Sequence, residues 1–300
     1  MTLRHSSIGS ILVLGLVGLS PVFGASSAPP SGGQPIDAWG DSLTTGTPGI
    51  GGLDGTWPYQ LSILLNGREV RNFGVSGQIS DSIAARQGAL VARLDVAGNA
   101  LPAKGPVPVN VVNGVEIPGA GIGEVHGTLD GIPGDLAYTE DYHHLFVRDT
   151  AGAPVSVPAG SPFLVDDHRG DINVIWAGRN DVNLNHTAQT IGNIARMTAR
   201  ADHGRFIVLS ILNGAGEGRG TAKHETVVKL NRELAARFPD NFIDVREALV
   251  ARAGHKAVDQ QDREADVVPS SLRVDDQHLS AEGYGIVAQQ VAHFIGQRGW

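Results

Sequence analysis

The chain of 300 residues contains no cysteine. A disulfide framework, a thiolate metal site and a cysteine nucleophile are therefore excluded, and the fold must rest on its core alone. Positive charge is scarce and unclustered: 23 Lys and Arg stand against 31 Asp and Glu, for a net charge of −8. Without a basic stripe to neutralise phosphates, a nucleic-acid partner is not expected. There is no internal repeat at a fixed period, which sets solenoids and propellers aside. Nor is there a long uninterrupted apolar run. The best one, from Ile8 to Phe23, is broken by Gly9, Gly15, Gly18 and Pro21 and is short for a membrane span.

That run reads instead as a signal peptide. Arg4 and His5 make a polar start, and Val22-Phe23-Gly24 offers small residues before a cut at Ala25. The expectation is a signal peptide over 1–24, a secreted or periplasmic product, and no stable membrane span once it is removed. An uncleaved anchor is the alternative. Residues 25–34, rich in Ser, Pro and Gly, read as a flexible leader.

What the chain does have is glycine, 40 of them, and 41% hydrophobic residues against 18% charged. This is a globular composition with many tight turns, not a helix bundle. Apolar runs at Pro35–Trp39, Glu69–Phe73, Ile172–Ala177, Phe206–Leu212 and Asn241–Val245 read as strands. Between and after them, helices are expected over Trp57–Leu65, Ser80–Leu94, Thr187–Ala201 and Ala222–Arg237, with a last one capped by Ser280 and running to Gln297. Such alternation implies an α/β fold, a mostly parallel sheet covered on both faces. One stretch breaks the rhythm. Residues 105–165 are dense in Pro, Gly, Val and Thr, and Val107–Val112, Asn113-Gly114 and Val115–Ile117 read as a hairpin. Further strands are expected at Glu124–Leu129, His144–Arg148 and Ser161–Val165, making 105–165 a β-rich insertion.

Four separated pieces share one chemical logic. Gly40-Asp41-Ser42-Leu43-Thr44 follows the first strand, where ligands of open parallel sheets bind. Asn72-Phe73-Gly74-Val75-Ser76-Gly77 follows the second, and a glycine there lets a backbone N–H approach a ligand. Gly178-Arg179-Asn180-Asp181 follows the strand after the insertion and offers a side-chain amide. Asp275-Asp276-Gln277-His278 precedes the last helix, and an Asp three residues ahead of a His can hold one imidazole nitrogen while the other stays free for a hydroxyl. Taken singly, each piece is as well explained by a turn, a helix cap or a surface pair.

Together, and in this order, the four resemble the blocks of the SGNH (GDSL-type) hydrolase superfamily. The resemblance covers Ile36 to about Arg93 and Asp171 to the end, and leaves out the insertion. It implies a three-layer α/β/α sandwich of flavodoxin-like type, in two parts, 35–104 and 166–300. It further implies Ser42 as nucleophile, His278 as general base and then acid, and Asp275 as the residue that orients it. The oxyanion hole would be the N–H of Ser42, the N–H of Gly74 and the amide of Asn180. No cofactor or metal is implied. Asp276 is the rival acid, expected at a solvated position.

The implied activity is ester hydrolysis through an acyl-serine intermediate. A short acyl group, acetyl, on a polysaccharide or glycan is the substrate expected. A lipase or lysophospholipase, an O-acetyltransferase, and a glycan-binding protein using the insertion are the alternatives. Other groups are assigned structural places: Asp141, His143 and His144 to a surface strand, Asp166, Asp167 and His168 to a polar loop, Trp39 and Trp176 to the core. Arg179 is expected either at the substrate or in a surface ion pair.

Overall fold

Residues 33–46, 52–118, 123–139 and 143–300 are described in this computed structural model. The expected signal peptide and most of the leader lie outside them, as do Asp141 and Tyr142. In chain order, the first elements are β1 (Ile36–Gly40), α1 (Ser42–Thr45), α2 (Trp57–Leu64), β2 (Val70–Gly74) and α3 (Ser80–Arg86). Then come β3 (Ala92–Val96), β4 (Ala100–Leu101), β5 (Pro106–Val111), β6 (Glu124–Leu129), β7 (Ile132–Tyr138), β8 (His144–Arg148), β9 (Val155–Ser156) and β10 (Ser161–Val165). The rest alternates: β11 (Ile172–Trp176), α4 (Arg179–Asn183), α5 (Thr190–Ala199), β12 (Phe206–Leu209), α6 (Ala222–Arg237), β13 (Phe242–Ile243), α7 (Val245–Val250), α8 (Ala257–Glu264) and α9 (Ala281–Arg298).

Five strands form a parallel sheet in the order β13-β12-β11-β1-β2. Every residue of β1 and β11 is buried, as continuous apolar runs in a doubly covered sheet require. Ile36, Ala38, Val174, Trp176 and Leu209 turn one face toward Trp57 and Leu61 of α2 and Tyr284, Val287 and Val291 of α9. Trp39, Ile175 and Val208 turn the other toward α3, α5 and α6, through Ile83, Ile194, Met197 and Leu234. Each such buried aliphatic side chain stabilises the layers by about 1.5–3 kcal/mol relative to exposure. The result is three layers. Gly40 pairs with both Trp176 and Gly74, so β1, β2 and β11 end side by side, and the turns after them share one rim.

The second body is a closed antiparallel barrel, β10-β3-β5-β8-β7-β6. Its own core contains Leu94, Leu129, Leu136, Phe146 and Phe163. The first and last strands pair with each other, Ala92 opposite Phe163. The barrel thus starts at Ala92, ahead of the Gly105 expected for the β-rich segment, because the expected helix from Ser80 ends at Arg86. Gly88, at φ +83° and wedged against Val165 and Arg200, turns the chain out of the helix. Beyond it, Ala92, Leu94 and Val96 are buried while Arg93 is exposed, the period-2 pattern of a strand.

The Asn113-Gly114 hairpin is also absent from the described residues. β5 pairs with β3 and β8 instead, and 115–117 form no strand. Asn113 spends its side chain on the start of β3: Oδ1 accepts the Arg93 N–H at 3.0 Å and Nδ2 donates to the Val91 carbonyl at 2.9 Å. The strands expected at Glu124–Leu129, His144–Arg148 and Ser161–Val165 lie at those bounds.

Candidate active site

The first strand must stop abruptly for its next residues to face the rim. A Cβ on Gly40 would lie 2.2 Å from Thr44 Oγ1 and 2.8 Å from the Trp176 carbonyl, so only glycine fits. Asp41 then caps the short helix α1, its Oδ1 accepting the Leu43 N–H at 2.9 Å. Burial pushes the Asp41 carboxyl up to about 7; the Leu43 N–H pulls the other way, and the nearby Asp181 carboxylate adds to the rise. Ser42, the first residue of α1, is only partly buried.

His278 reaches Ser42 from the far end of the chain. Its Nε2 lies 2.9 Å from Ser42 Oγ, and its Nδ1 lies 2.7 Å from Asp275 Oδ2. With a carboxylate on Nδ1, that nitrogen carries the proton and Nε2 is the acceptor for the serine hydroxyl. Asp275 Oδ1 also accepts the N–H groups of Gln277 at 2.8 Å and His278 at 2.7 Å. Burial raises the Asp275 pKa, yet these two N–H groups and the imidazole outweigh it and hold the carboxyl below its ordinary value. The backbone closes the loop, as Val274 N–H donates to the His278 carbonyl at 2.9 Å. Asp276 is exposed, and among the described residues it is engaged at its carbonyl, by the Ala215 N–H at 2.8 Å. The structure therefore brings Ser42, His278 and Asp275 into one hydrogen-bonded line.

The donors around that line are arranged differently from expectation. Gly74 N–H donates to Asn72 Oδ1 at 2.9 Å, while Asn72 Nδ2 donates to the Thr44 carbonyl at 2.9 Å. A Cβ on Gly74 would fall 2.1 Å from Thr45 N. This glycine lets β2 abut α1, and its N–H is already taken. Gly77 stands at φ +83° in the following turn, and its N–H has no partner among the described residues. Asn180 lies beside that turn: its Nδ2 donates to the Gln78 carbonyl at 2.9 Å, which leaves the second amide hydrogen available. Asp181, buried and raised in pKa by burial, accepts Ser80 N–H at 2.9 Å, Ser80 Oγ at 2.5 Å and Thr190 Oγ1 at 2.8 Å. It ties the two rim turns to each other.

Arg179 is neither at the surface nor free for a ligand. It is 4% exposed, with Nη1 2.7 Å from Glu217 Oε2 and Nη2 2.8 Å from Oε1. Trp39 and Trp176 lie in the core; Trp39 stacks on Phe73 at 4.3 Å and 11°. Asp166, Asp167 and His168 have separate partners: His126 at 2.9 Å, Arg169 at 2.6 Å and Asp37 at 3.2 Å. Asp37, His168 and Asp171 have the spacing of a metal site. However, Arg71 already sits on both carboxylates, 2.7 Å from Asp37 and 2.5 Å from Asp171, and a second cation there would be repelled.

No family model matches the chain. Among curated proteins it is similar to the tail spike protein of Salmonella phage epsilon15, 26% identical over 271 residues that span 79% of this chain. The match takes in 25% of that protein, so the chain spans about a quarter of the relative's length. Among solved structures it is similar to a member of the lipolytic protein G-D-S-L family from Veillonella parvula (12% identity, TM-score 0.48, 87% and 97% of the two chains). It is likewise similar to the lipase/acylhydrolase from Enterococcus faecalis (17%, 0.46, 88% and 96%). A third similar structure is a carbohydrate acetylesterase from Sinorhizobium meliloti (12%, 0.46, 89% and 100%).

Proposed function

We propose that this chain is a serine esterase of the SGNH type, hydrolysing carboxylic esters through an acyl-serine intermediate. The observation that carries the reading is the line Ser42 Oγ, His278 Nε2, His278 Nδ1, Asp275 Oδ2, with steps of 2.9 Å and 2.7 Å. A serine hydroxyl is a weak nucleophile until a base takes its proton, and here the base is already in contact. Ser42 Oγ attacks the ester carbonyl carbon as His278 Nε2 takes the hydroxyl proton. Asp275 holds the imidazolium that results. The negative charge moves to the carbonyl oxygen, where the N–H of Ser42, the N–H of Gly77 in place of Gly74, and the free amide hydrogen of Asn180 are the donors assigned to it. Collapse breaks the ester C–O bond, and the leaving alcohol takes its proton from His278. Water then repeats the sequence on the acyl-serine, giving the acid and restoring Ser42.

Within this reading the substrate is a short acyl ester, acetyl, on a glycan outside the cytoplasm. Its support is the apolar run of residues 8–23 as an export signal, the net charge of −8, and the absence from the sequence of a long apolar segment suited to a lipase lid. A fluorophosphonate probe is expected to label Ser42 alone, and Ser42→Ala to abolish ester turnover. Full activity in that variant would end the assignment. An ester series from acetyl to long-chain, run beside acetylated polysaccharides with acetate release as the readout, tests the substrate. Preference for long chains overturns it.

A further inference from the structure

The residue between the acid and the base of the site is itself held from both sides. Gln277 Oε1 accepts from Asn183 Nδ2 at 2.7 Å and from Arg179 Nε at 3.1 Å, while its backbone N–H donates to Asp275. The Arg179 guanidinium is in turn fixed at every edge. Nη1 reaches the Leu212 carbonyl at 3.0 Å and Glu217, and Nη2 reaches Glu217 and Asn183 Oδ1. Glu217 accepts the Gly214 N–H at 2.8 Å and an ion pair from Lys223 at 3.2 Å. Burial works against its charge, but Arg179 and the Gly214 N–H hold its carboxyl down to about 2. The same 213–217 turn supplies the Ala215 N–H that binds the Asp276 carbonyl.

From this geometry we infer that Arg179, with Glu217 as its counter-charge, is a positioning residue that sets the Asp275–His278 loop against Ser42 by gripping the side chain of Gln277. The inference rests on the esterase reading of the same site. Arg179 and Asn183 belong to α4, which also carries Asn180, so one short helix spaces an oxyanion donor from the acid–base loop. A bidentate guanidinium–carboxylate pair fixes direction as well as distance, which a lysine at this position would not. Gln277 is half-buried on a loop and is not itself a residue of the apolar core, so its replacement leaves that core intact.

The test compares Gln277→Leu, which has no acceptor, with Gln277→Glu, which keeps an oxygen for Arg179 and Asn183. Gln277→Leu is expected to lose about tenfold to a hundredfold in kcat, the range for a misplacement of about an ångström, with KM unchanged and the protein still folded at the assay temperature. Gln277→Glu is expected to recover most of that loss. In the proton NMR spectrum without substrate, the low-field signal of the His278 Nδ1 proton should persist in wild type and Gln277→Glu and broaden in Gln277→Leu. Unchanged kcat in Gln277→Leu, or equal loss in both variants, overturns the positioning role. Should the wild type turn over no ester and take no fluorophosphonate, the esterase reading fails on its own. The NMR signal still decides the positioning, since a sharp signal in Gln277→Leu refutes it.

Discussion

Asp41 and Asp275 flank the same serine–histidine contact, and their surroundings push them in opposite directions. Asp275 receives two N–H groups and the imidazole, so it stays an acceptor well into acid. Its contribution to stability is present above the ordinary Asp range and is lost as pH falls through its lowered value. Asp41 is buried, with one oxygen on the Leu43 N–H and Oδ2 lacking a partner among the described residues. Its folded pKa is raised from 3.8 to about 7, so the native chain keeps a proton that the unfolded chain releases. Stability therefore falls as pH rises from about 4 to about 7 and is flat above, by on the order of 4 kcal/mol as an upper bound. Asp41→Asn, which keeps the helix cap, should raise the thermal midpoint at about pH 8 more than at about pH 5. An equal change at both pH values would show that Asp41 is ionised in the fold.

At the scale of elements, the barrel closes over two glycines that face each other, Gly127 on β6 and Gly134 on β7. A Cβ on Gly134 would lie 2.3 Å from the Val147 carbonyl and 2.8 Å from Cζ of Phe146; one on Gly127 would meet the Leu164 carbonyl at 2.4 Å and Phe163 at 2.8 Å. Rings cover the gaps that the missing side chains leave, as sharply curved sheets require. Gly134→Ala should destabilise the barrel by about 1–3 kcal/mol, read as an earlier unfolding step in calorimetry, while Gly123→Ala, which meets nothing, should not. Elements with strong local signals are legible from sequence: α6 occupies its expected range, and Ser280 caps α9 through the Gly283 N–H. Those decided by distant partners are not. Ala92–Val96 carries a strand pattern, but after a helix-forming stretch it reads as more helix until β5 and β10 pair with it. Asn113-Gly114 has hairpin chemistry, and the β3 backbone claims the asparagine.

The molecule as a whole is a sandwich and a barrel whose cores meet at Ala85 and Leu90, and its site is legible only in part. Ser42, Asn180 and His278 sit in short motifs at strand ends, where chemistry and turn geometry coincide in a few residues. Glu217 has no such signature, since its role exists only through Arg179, which folding alone brings to it. Gly74 shows the limit: its N–H is engaged by Asn72 Oδ1, and a glycine required for close approach looks the same in sequence as one that offers an N–H. The barrel also defines where the insertion can be removed. A cut at Gly105 would leave β3 as an unpaired strand, whereas replacing residues 92–165 by a short Gly-Ser turn removes the barrel whole. That variant should keep fluorophosphonate labelling at Ser42 and small-ester turnover, with loss confined to polymeric substrate. Equal loss on both, with circular dichroism showing a melted sheet, would make the barrel part of the core on which the parallel sheet depends.

The pairing of Ala92 with Phe163 has one more consequence. Adjacent antiparallel strands hold those two residues about 5 Å apart, so the chain leaves α3 and returns toward β11 through nearly the same point. Once folded, the barrel imposes on its host no more loop-closure entropy than a tight hairpin turn does. The parallel sheet can therefore assemble as though the barrel were a short bend, and any barrel hung from the same two residues must still cover Ala85 of α3 and accept the Gln78 amide, which donates to the Pro118 carbonyl at 3.3 Å.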